Sequence, residues 1–193
     1  MNNAKKRLIV WTAVIAVVLL IPFLLMQFHV KIYDPGNGYE ELGWNLLDFV
    51  LLGVVLIGIA LLYELVARRS QQPAYRAAFG LGLLGALLLF WVNGAVGIIG
   101  GENHPANLMY GVVFAIGLIG SIISQFKPRG MSYTLLTAAI VQLLIPIIAL
   151  LIWPTEASWG DFGVFKILII NVLFAALFAG SALLFHRARI QKT

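Results

Sequence analysis

Two groups of side chains in this sequence could bind a ligand in or beside a membrane. The first comprises three amides, Asn93, Gln142 and Asn171, which lie inside long apolar runs. An amide in hydrocarbon needs a hydrogen-bonding partner, so each marks either a contact between helices or a polar ligand-binding site. The second group is Glu102 and His104, whose carboxylate and imidazole could serve as metal ligands. Spacing gives the metal site little support, because neither H-x-x-x-H nor E-x-x-H occurs.

Most enzymatic chemistries lack the residues they need. The sequence has no cysteine, which excludes disulfides, thiolate metal sites and cysteine nucleophiles. A glycine pattern at 80–85 matches a dinucleotide-binding fingerprint in its letters, but it lies inside an apolar run with no strand before it. An intramembrane enzyme using Asp48, Glu102 or His104 is the least favoured hypothesis. We therefore predict that the protein is not an enzyme and has no cofactor.

The composition indicates which elements must hold these side chains. Of 193 residues, 61% are hydrophobic and 11% are charged, against roughly 25% charged residues in soluble domains. A hydrocarbon core about 30 Å thick needs roughly 20 apolar residues per helix, and the sequence offers six such runs. We place the spans at about 8–28, 45–66, 77–100, 107–126, 134–153 and 164–186. The prediction is an all-α, polytopic membrane helix bundle that forms a single transmembrane domain over residues 1–193.

Basic residues predict how the spans are oriented. Eleven of the 13 Lys and Arg residues lie before the first span, after the last span, or in the second and fourth gaps between spans. The other two, Lys31 and Lys166, lie on the opposite side. Because cytoplasmic loops collect Lys and Arg, we predict that both termini are cytoplasmic (N-in/C-in).

Small residues accompany the three amides. In the third span, Gly82 and Gly97 recur near helical spacing on the face of Asn93. Similar stripes accompany Gln142 in the fifth span and Asn171 in the sixth. Helices in lipid associate through close packing of small residues and through side-chain hydrogen bonds. We therefore expect the amides to face the bundle interior, either as bonds between helices or as the lining of a wet cavity.

Polar residues near the ends of the second span have local roles in this interpretation. Asp48 follows Asn45 at its start, where a carboxylate favours the helix N-terminus. Glu64 precedes Arg68 by four residues, which is the favourable spacing for an ion pair on a helix. We predict a helix cap at the start of the span and an ion pair near its end.

The segment between the third and fourth spans reads as a tight hairpin. Gly100 and Gly101 can end one helix, and Pro105 can open the next. Either His104 or Asn103 can cap that helix. The sequence therefore predicts a short turn here, built by backbone and capping chemistry.

Several motifs resemble a known group of proteins. They are Tyr63-Glu64-Leu65-Val66-Ala67-Arg68-Arg69, Tyr75-Arg76-Ala77-Ala78, Trp91-Val92-Asn93, Gly97-Ile98-Ile99-Gly100, Asn107-Leu108-Met109-Tyr110 and Lys127-Pro128-Arg129-Gly130-Met131. Together they resemble a group of small, uncharacterised multi-span proteins of bacterial inner membranes, from about the second span to the sixth. The resemblance implies the fold and a place in the bacterial cytoplasmic (inner) membrane. It implies no activity and no functional residue.

These observations favour a non-enzymatic accessory factor or subunit of the membrane. Its expected partners are the lipid bilayer and another membrane protein or a second copy of the chain, and not nucleic acid. The alternative is a small permease or channel for a neutral or weakly polar solute, with its polar site at Asn93, Gln142 and Asn171. A continuous wet cavity lined by these amides would favour the permease. A dry, close-packed core with an exposed Gly/Ala stripe would favour a partner or an oligomer.

Overall fold

Long helices make up most of the described chain, as lipid requires of a backbone that must satisfy its own hydrogen bonds. The computed structural model of the protein describes residues 3–29, 31–34, 38–41, 43–67, 70–100, 104–154 and 163–190. Within these ranges lie six helices of 19 to 28 residues that are long and apolar enough to span a membrane. The predicted all-α membrane helix bundle is confirmed.

The helices are α1 Asn3–Gln27, α2 Leu46–Ala67, α3 Pro73–Val96, α4 Tyr110–Ile123, α5 Pro128–Ile152 and α6 Gly163–Ile190, with a 3₁₀ helix, Pro105–Met109, leading into α4. Helices α1, α3 and α5 begin four to six residues earlier than predicted, and α3 and α5 do so because Pro73 and Pro128 open them with polar first turns that hydropathy does not register. Helix α3 ends at Val96, earlier than the predicted end at about residue 100. Gly97 follows with a φ of 63°, a left-handed conformation that favours glycine.

A short β-hairpin lies between α1 and α2 and was not predicted. Its strands are β1, Lys31–Asp34, and β2, Gly38–Glu41. They pair antiparallel, with Lys31 opposite Glu41 and Asp34 opposite Gly38. Strands of four residues carry too short a hydrophobic pattern to be recognised in a sequence dominated by membrane spans.

Residue contacts group into two compact units, Met1–Leu65 and Val66–Thr193. The prediction of one transmembrane domain over residues 1–193 stays a prediction. In the first unit, Arg7 and Trp11 of α1 meet Glu64 of α2. The Arg7 Nε lies 2.9 Å from the Glu64 Oε2, and the Trp11 indole donates to the Oε1 at 3.1 Å. The start of α1 therefore lies beside the end of α2.

The Glu64 carboxylate thus has a partner that spacing along α2 did not reveal. Sequence reasoning paired it with Arg68, which lies outside the described residues. Arg7 is 57 positions away along the chain, so it becomes a neighbour only when α1 and α2 pack antiparallel. The Arg7 and Glu64 side chains are 47% and 23% exposed, so this ion pair contributes only a few tenths of a kcal/mol, about 0.2–1.

In the second unit, glycines let α3 pack closely on its neighbours. A Cβ at Gly82 would lie 3.1 Å from the Ser181 Oγ and 3.3 Å from Leu135, and a Cβ at Gly85 would lie 3.2 Å from the Phe178 ring. The Ser181 hydroxyl also donates to the Ala78 carbonyl at 2.5 Å. Helices α3 and α6 are therefore joined in the way expected in lipid, by small residues and a hydrogen bond.

The seam between α4 and α5 follows the same rule. A Cβ at Gly120 would lie 2.5 Å from the Thr134 Oγ1 and 2.6 Å from its Cγ2. A Cβ at Gly130 would overlap the Ser124 side chain. On the other side of α5, the Ser132 hydroxyl donates to the Ala182 carbonyl of α6 at 2.9 Å. These contacts hold α4, α5 and α6 in a fixed arrangement that positions the interior polar groups.

Candidate functional site

Three helices of the second unit meet at the Asn171 side chain. The Gln142 Nε2 of α5 donates to the Asn171 Oδ1 at 2.9 Å, and the Tyr110 hydroxyl of α4 donates to the same oxygen at 3.0 Å. The Asn171 Nδ2 in turn donates to the Ile167 carbonyl within α6, also at 2.9 Å. We refer to Tyr110, Gln142 and Asn171 as the amide cluster. It joins α4, α5 and α6 through side-chain hydrogen bonds.

The amide cluster is sealed from solvent, since all three side chains are 0% exposed. In such surroundings an unmade hydrogen bond costs more than it would at a surface, so the bonds fix each helix relative to the others. One acceptor is left over: the buried Gln142 Oε1 has no hydrogen-bond partner among the described residues. An amide oxygen has two lone pairs, so this atom can still accept hydrogen bonds.

Asn93 belongs to a different polar group, at the ends of α3 and α4. Its Nδ2 donates to the Asn107 carbonyl at 3.3 Å, and its buried Oδ1 has no partner within the described part of the chain. The Asn107 side chain accepts from the Ile99 N–H and donates to the Ile99 carbonyl, each at 2.9 Å. The Asn107 side chain thereby satisfies both backbone groups of Ile99 and holds the segment that follows α3.

The structure therefore brings together two of the three predicted ligand-binding amides. Gln142 and Asn171 are hydrogen-bonded to each other, whereas Asn93 bonds to the Asn107 backbone. Tyr110 and Asn107 were missed. One feature of the sequence could have identified them, since both are polar residues within five positions of Pro105, at the start of the predicted fourth span. A polar side chain that becomes buried there needs a hydrogen-bonding partner.

The predicted metal pair is only partly described. Glu102 lies outside the described residues. His104 caps the 3₁₀ helix that Pro105 opens, and its Nδ1 accepts from the Ala106 N–H at 3.2 Å. Its ring also meets Trp153 edge to face, with ring centroids 5.4 Å apart. The predicted cap is confirmed, and the metal site stays a prediction. Among the described residues, no group of three His, Cys, Asp or Glu side chains is arranged to hold a metal ion.

The carboxylate at the start of α2 is a helix cap, as predicted. The Asn45 Oδ1 accepts from the Leu47 N–H at 2.7 Å, and the Asp48 Oδ2 accepts from the Asn45 N–H at 2.8 Å. This reciprocal arrangement satisfies backbone donors that a helix start leaves open. The Asp48 carboxylate therefore has a structural role as part of the helix cap, and this role accounts for an acidic residue at this position without a catalytic one.

Comparisons with protein-family models, with curated proteins and with solved structures give no match to this chain. The resemblance to multi-span bacterial proteins stays a prediction. The arrangement offers neutral donors and acceptors between helices. Such groups can lock helices together or hold one polar ligand atom.

Proposed function

We propose that the protein is a non-enzymatic membrane component that acts as an accessory factor or subunit of a larger membrane assembly. The observation that carries the proposal lies on the outer face of α4. Gly111 and Ala115 are both exposed there, one turn apart, and a Cβ at Gly111 would meet no atom within 4 Å. A pair of small residues at this spacing lets a second helix approach closely in lipid.

The opposite face of α4 shows why this outer pair is informative. Tyr110 and Val113 are buried against the rest of the unit, and the small residues are not needed for that packing. A lipid-facing position gains nothing from glycine, which costs about 1 kcal/mol of helix stability relative to alanine. The pairing of exposed Gly111 with exposed Ala115 one turn later is therefore better accounted for by a helix that packs on both than by lipid.

The interior supports the same proposal. Gln142 and Asn171 bond directly to each other and are wholly buried, which is the arrangement of bonds between helices. A solute pathway would instead need amides that face a wet cavity. The buried cluster favours a rigid scaffold whose work is done at its lipid-facing surface.

The experiment maps contacts of the outer face of α4 in native membranes. The chain has no cysteine, so in Ala115→Cys a thiol-reactive benzophenone attaches to this chain at position 115 alone, and adducts are detected through an epitope tag on the chain. We expect one discrete adduct heavier than the 21.1 kDa chain. The variant Ile169→Cys, on the exposed face of α6, is the matched position and should give no discrete adduct.

A second substitution decides whether close approach matters. Gly111→Leu in the Ala115→Cys background should abolish the adduct, because the new side chain holds a neighbouring helix away. Gly94→Leu is the control, since Gly94 is an open, exposed glycine on α3 whose neighbours four residues away, Phe90 and Ile98, are large. An adduct that persists with Gly111→Leu, or the absence of any adduct at position 115, would contradict the proposal.

The permease remains the second candidate because of two specific atoms. The buried Gln142 Oε1 and Asn93 Oδ1 have no partner among the described residues, so each could accept a donor from a passing solute. Light-scattering measurements on proteoliposomes with urea and glycerol test this. Flux above that of empty liposomes, lost with Gln142→Leu, would favour the permease; equal flux favours the scaffold.

We also propose that the protein lies in the bacterial cytoplasmic membrane with both termini in the cytoplasm. The support is the distribution of Lys and Arg, 11 of 13 on one side of the predicted spans. A phosphatase–galactosidase dual reporter inserted at residues 127–131 should show only the cytoplasmic activity. Phosphatase activity there would refute the orientation.

A further inference from the structure

We propose that the turn between α4 and α5 binds a phosphate-type anion at the membrane boundary. An open pocket of about 420 Å³ lies there, within the size range of small-ligand sites. Its lining residues include Ile123, Gln125, Lys127, Arg129 and Tyr133. Two cations, an amide and a phenol thus share one concavity, and a phosphate oxygen can be bound by each of these groups.

The two cations are available for a ligand. Lys127 and Arg129 are both exposed, and neither makes an ion pair with a described residue. The Arg129 guanidinium can bind two phosphate oxygens at once, whereas the Lys127 ammonium acts as a point charge. Tyr133 follows Arg129 by one helical turn and is 56% exposed, so it lies on the same side of α5.

The backbone holds the pocket in one shape. Gln125 and Phe126 have φ values of 53° and 57°, a left-handed conformation that is uncommon in residues other than glycine. The Tyr75 hydroxyl of α3 donates to the Phe126 carbonyl at 2.6 Å, and the Lys127 N–H donates to the Ser124 carbonyl at 2.9 Å. The turn is therefore held by one bond from α3 and by one within itself, and a preformed turn lowers the cost of ordering a ligand.

The length of α4 places this pocket at the level of lipid headgroups. The 3₁₀ helix has 5 residues and α4 has 14, which together rise about 31 Å. That is close to the hydrocarbon thickness of about 30 Å, so the turn lies where α4 leaves the hydrocarbon core. Ile123 at the pocket edge is 77% exposed and can contact an acyl chain, and the exposed Lys127 and Arg129 are close enough along the chain to bind the headgroup of the same lipid.

Two sources could supply the anion, an anionic phospholipid or free phosphate. The test measures binding of phosphatidylglycerol, phosphatidylcholine and inorganic phosphate to the purified full chain by native mass spectrometry. We expect the variant K127Q/R129Q to bind phosphatidylglycerol about 10- to 30-fold more weakly than the wild type. If inorganic phosphate instead shows the cation-dependent binding, the site takes the soluble anion.

Matched variants separate a site from general attraction to positive charge. R187Q/R189Q removes two exposed charges from the end of α6, predicted to lie on the same side of the membrane, and should change binding by less than twofold. K127R/R129K keeps both charges and should bind within about threefold of the wild type. Equal loss in both Gln variants, or no loss in K127Q/R129Q for either anion, would overturn the proposal. The outcome is independent of the α4 face carrying Gly111.

Discussion

The amide cluster and the α4–α5 turn use polar groups in opposite ways within one unit. In the cluster, neutral side chains that are 0% exposed are bonded to one another across three helices. In the turn, the two cations are exposed and make no ion pair with a described residue. Buried polar groups must be satisfied by the chain, whereas groups at the boundary can be satisfied by headgroups and water. The buried cluster therefore contributes to the stability of the fold, whereas the exposed cations of the turn are free to serve the proposed anion binding.

Removing the centre of the amide cluster should have the largest effect. Asn171→Ala deletes three hydrogen bonds and leaves the Tyr110 and Gln142 donors buried without their acceptor. We expect a loss of about 2 kcal/mol or more in the free energy of unfolding, measured by denaturant titration in nanodiscs. Val172→Ala, at a 56% exposed neighbour, should lose far less. Similar losses in both variants would show that the buried amide cluster contributes no more to stability than an exposed side chain of the same helix.

The seam that joins the two regions should be next in sensitivity. Gly120→Ala forces a Cβ to within 2.6 Å of the Thr134 side chain, which is β-branched and cannot turn away freely. We expect a loss of about 1–2 kcal/mol in the same titration. Gly117→Ala is the control, because no atom lies within 4 Å of its Cβ position. If Gly117→Ala is as destabilising as Gly120→Ala, the loss of stability in Gly120→Ala does not come from the clash with Thr134.

A local effect is expected at the other polar group. Asn107→Ala removes both hydrogen bonds to the Ile99 backbone. Hydrogen exchange of the Ile99 amide should rise about tenfold or more, equivalent to about 1.4 kcal/mol of lost protection. Leu108→Ala, at an 82% exposed position, should leave that exchange unchanged. Unaltered exchange in Asn107→Ala would show that the segment is held by other contacts.

The smallest change in stability should come from the basic turn. K127Q/R129Q removes two exposed charges, so its free energy of unfolding should stay within about 0.5 kcal/mol of the wild type. The same titration that detects Asn171→Ala measures it. A loss comparable to that of Asn171→Ala would mean that these cations hold the fold, and the distinction between the two regions would fail.

The spans were predictable because the hydropathy that identifies each one is averaged over about 20 residues. The inward direction of Gln142 and Asn171 was predictable too, since an amide must avoid lipid. Their mutual bond, and the part of Tyr110 in it, depend on the register between helices, which no local pattern encodes. Glu64 shows the limit clearly. Sequence spacing offered Arg68 on its own helix, whereas Arg7 became a partner only through helix pairing.

The position of Asn171 on the last helix has a consequence for how the protein is made. Synthesis delivers α4 and α5 to the membrane first, so Tyr110 and Gln142 enter before their shared acceptor exists. Until α6 is inserted, these donors must bond to water, to the translocation machinery or to other chains. Before residue 171 is inserted, the Gln142 amide is therefore a polar group in the membrane that lacks its acceptor in the folded chain. Insertion of α6 supplies the Asn171 acceptor and lets these donors bond within the chain.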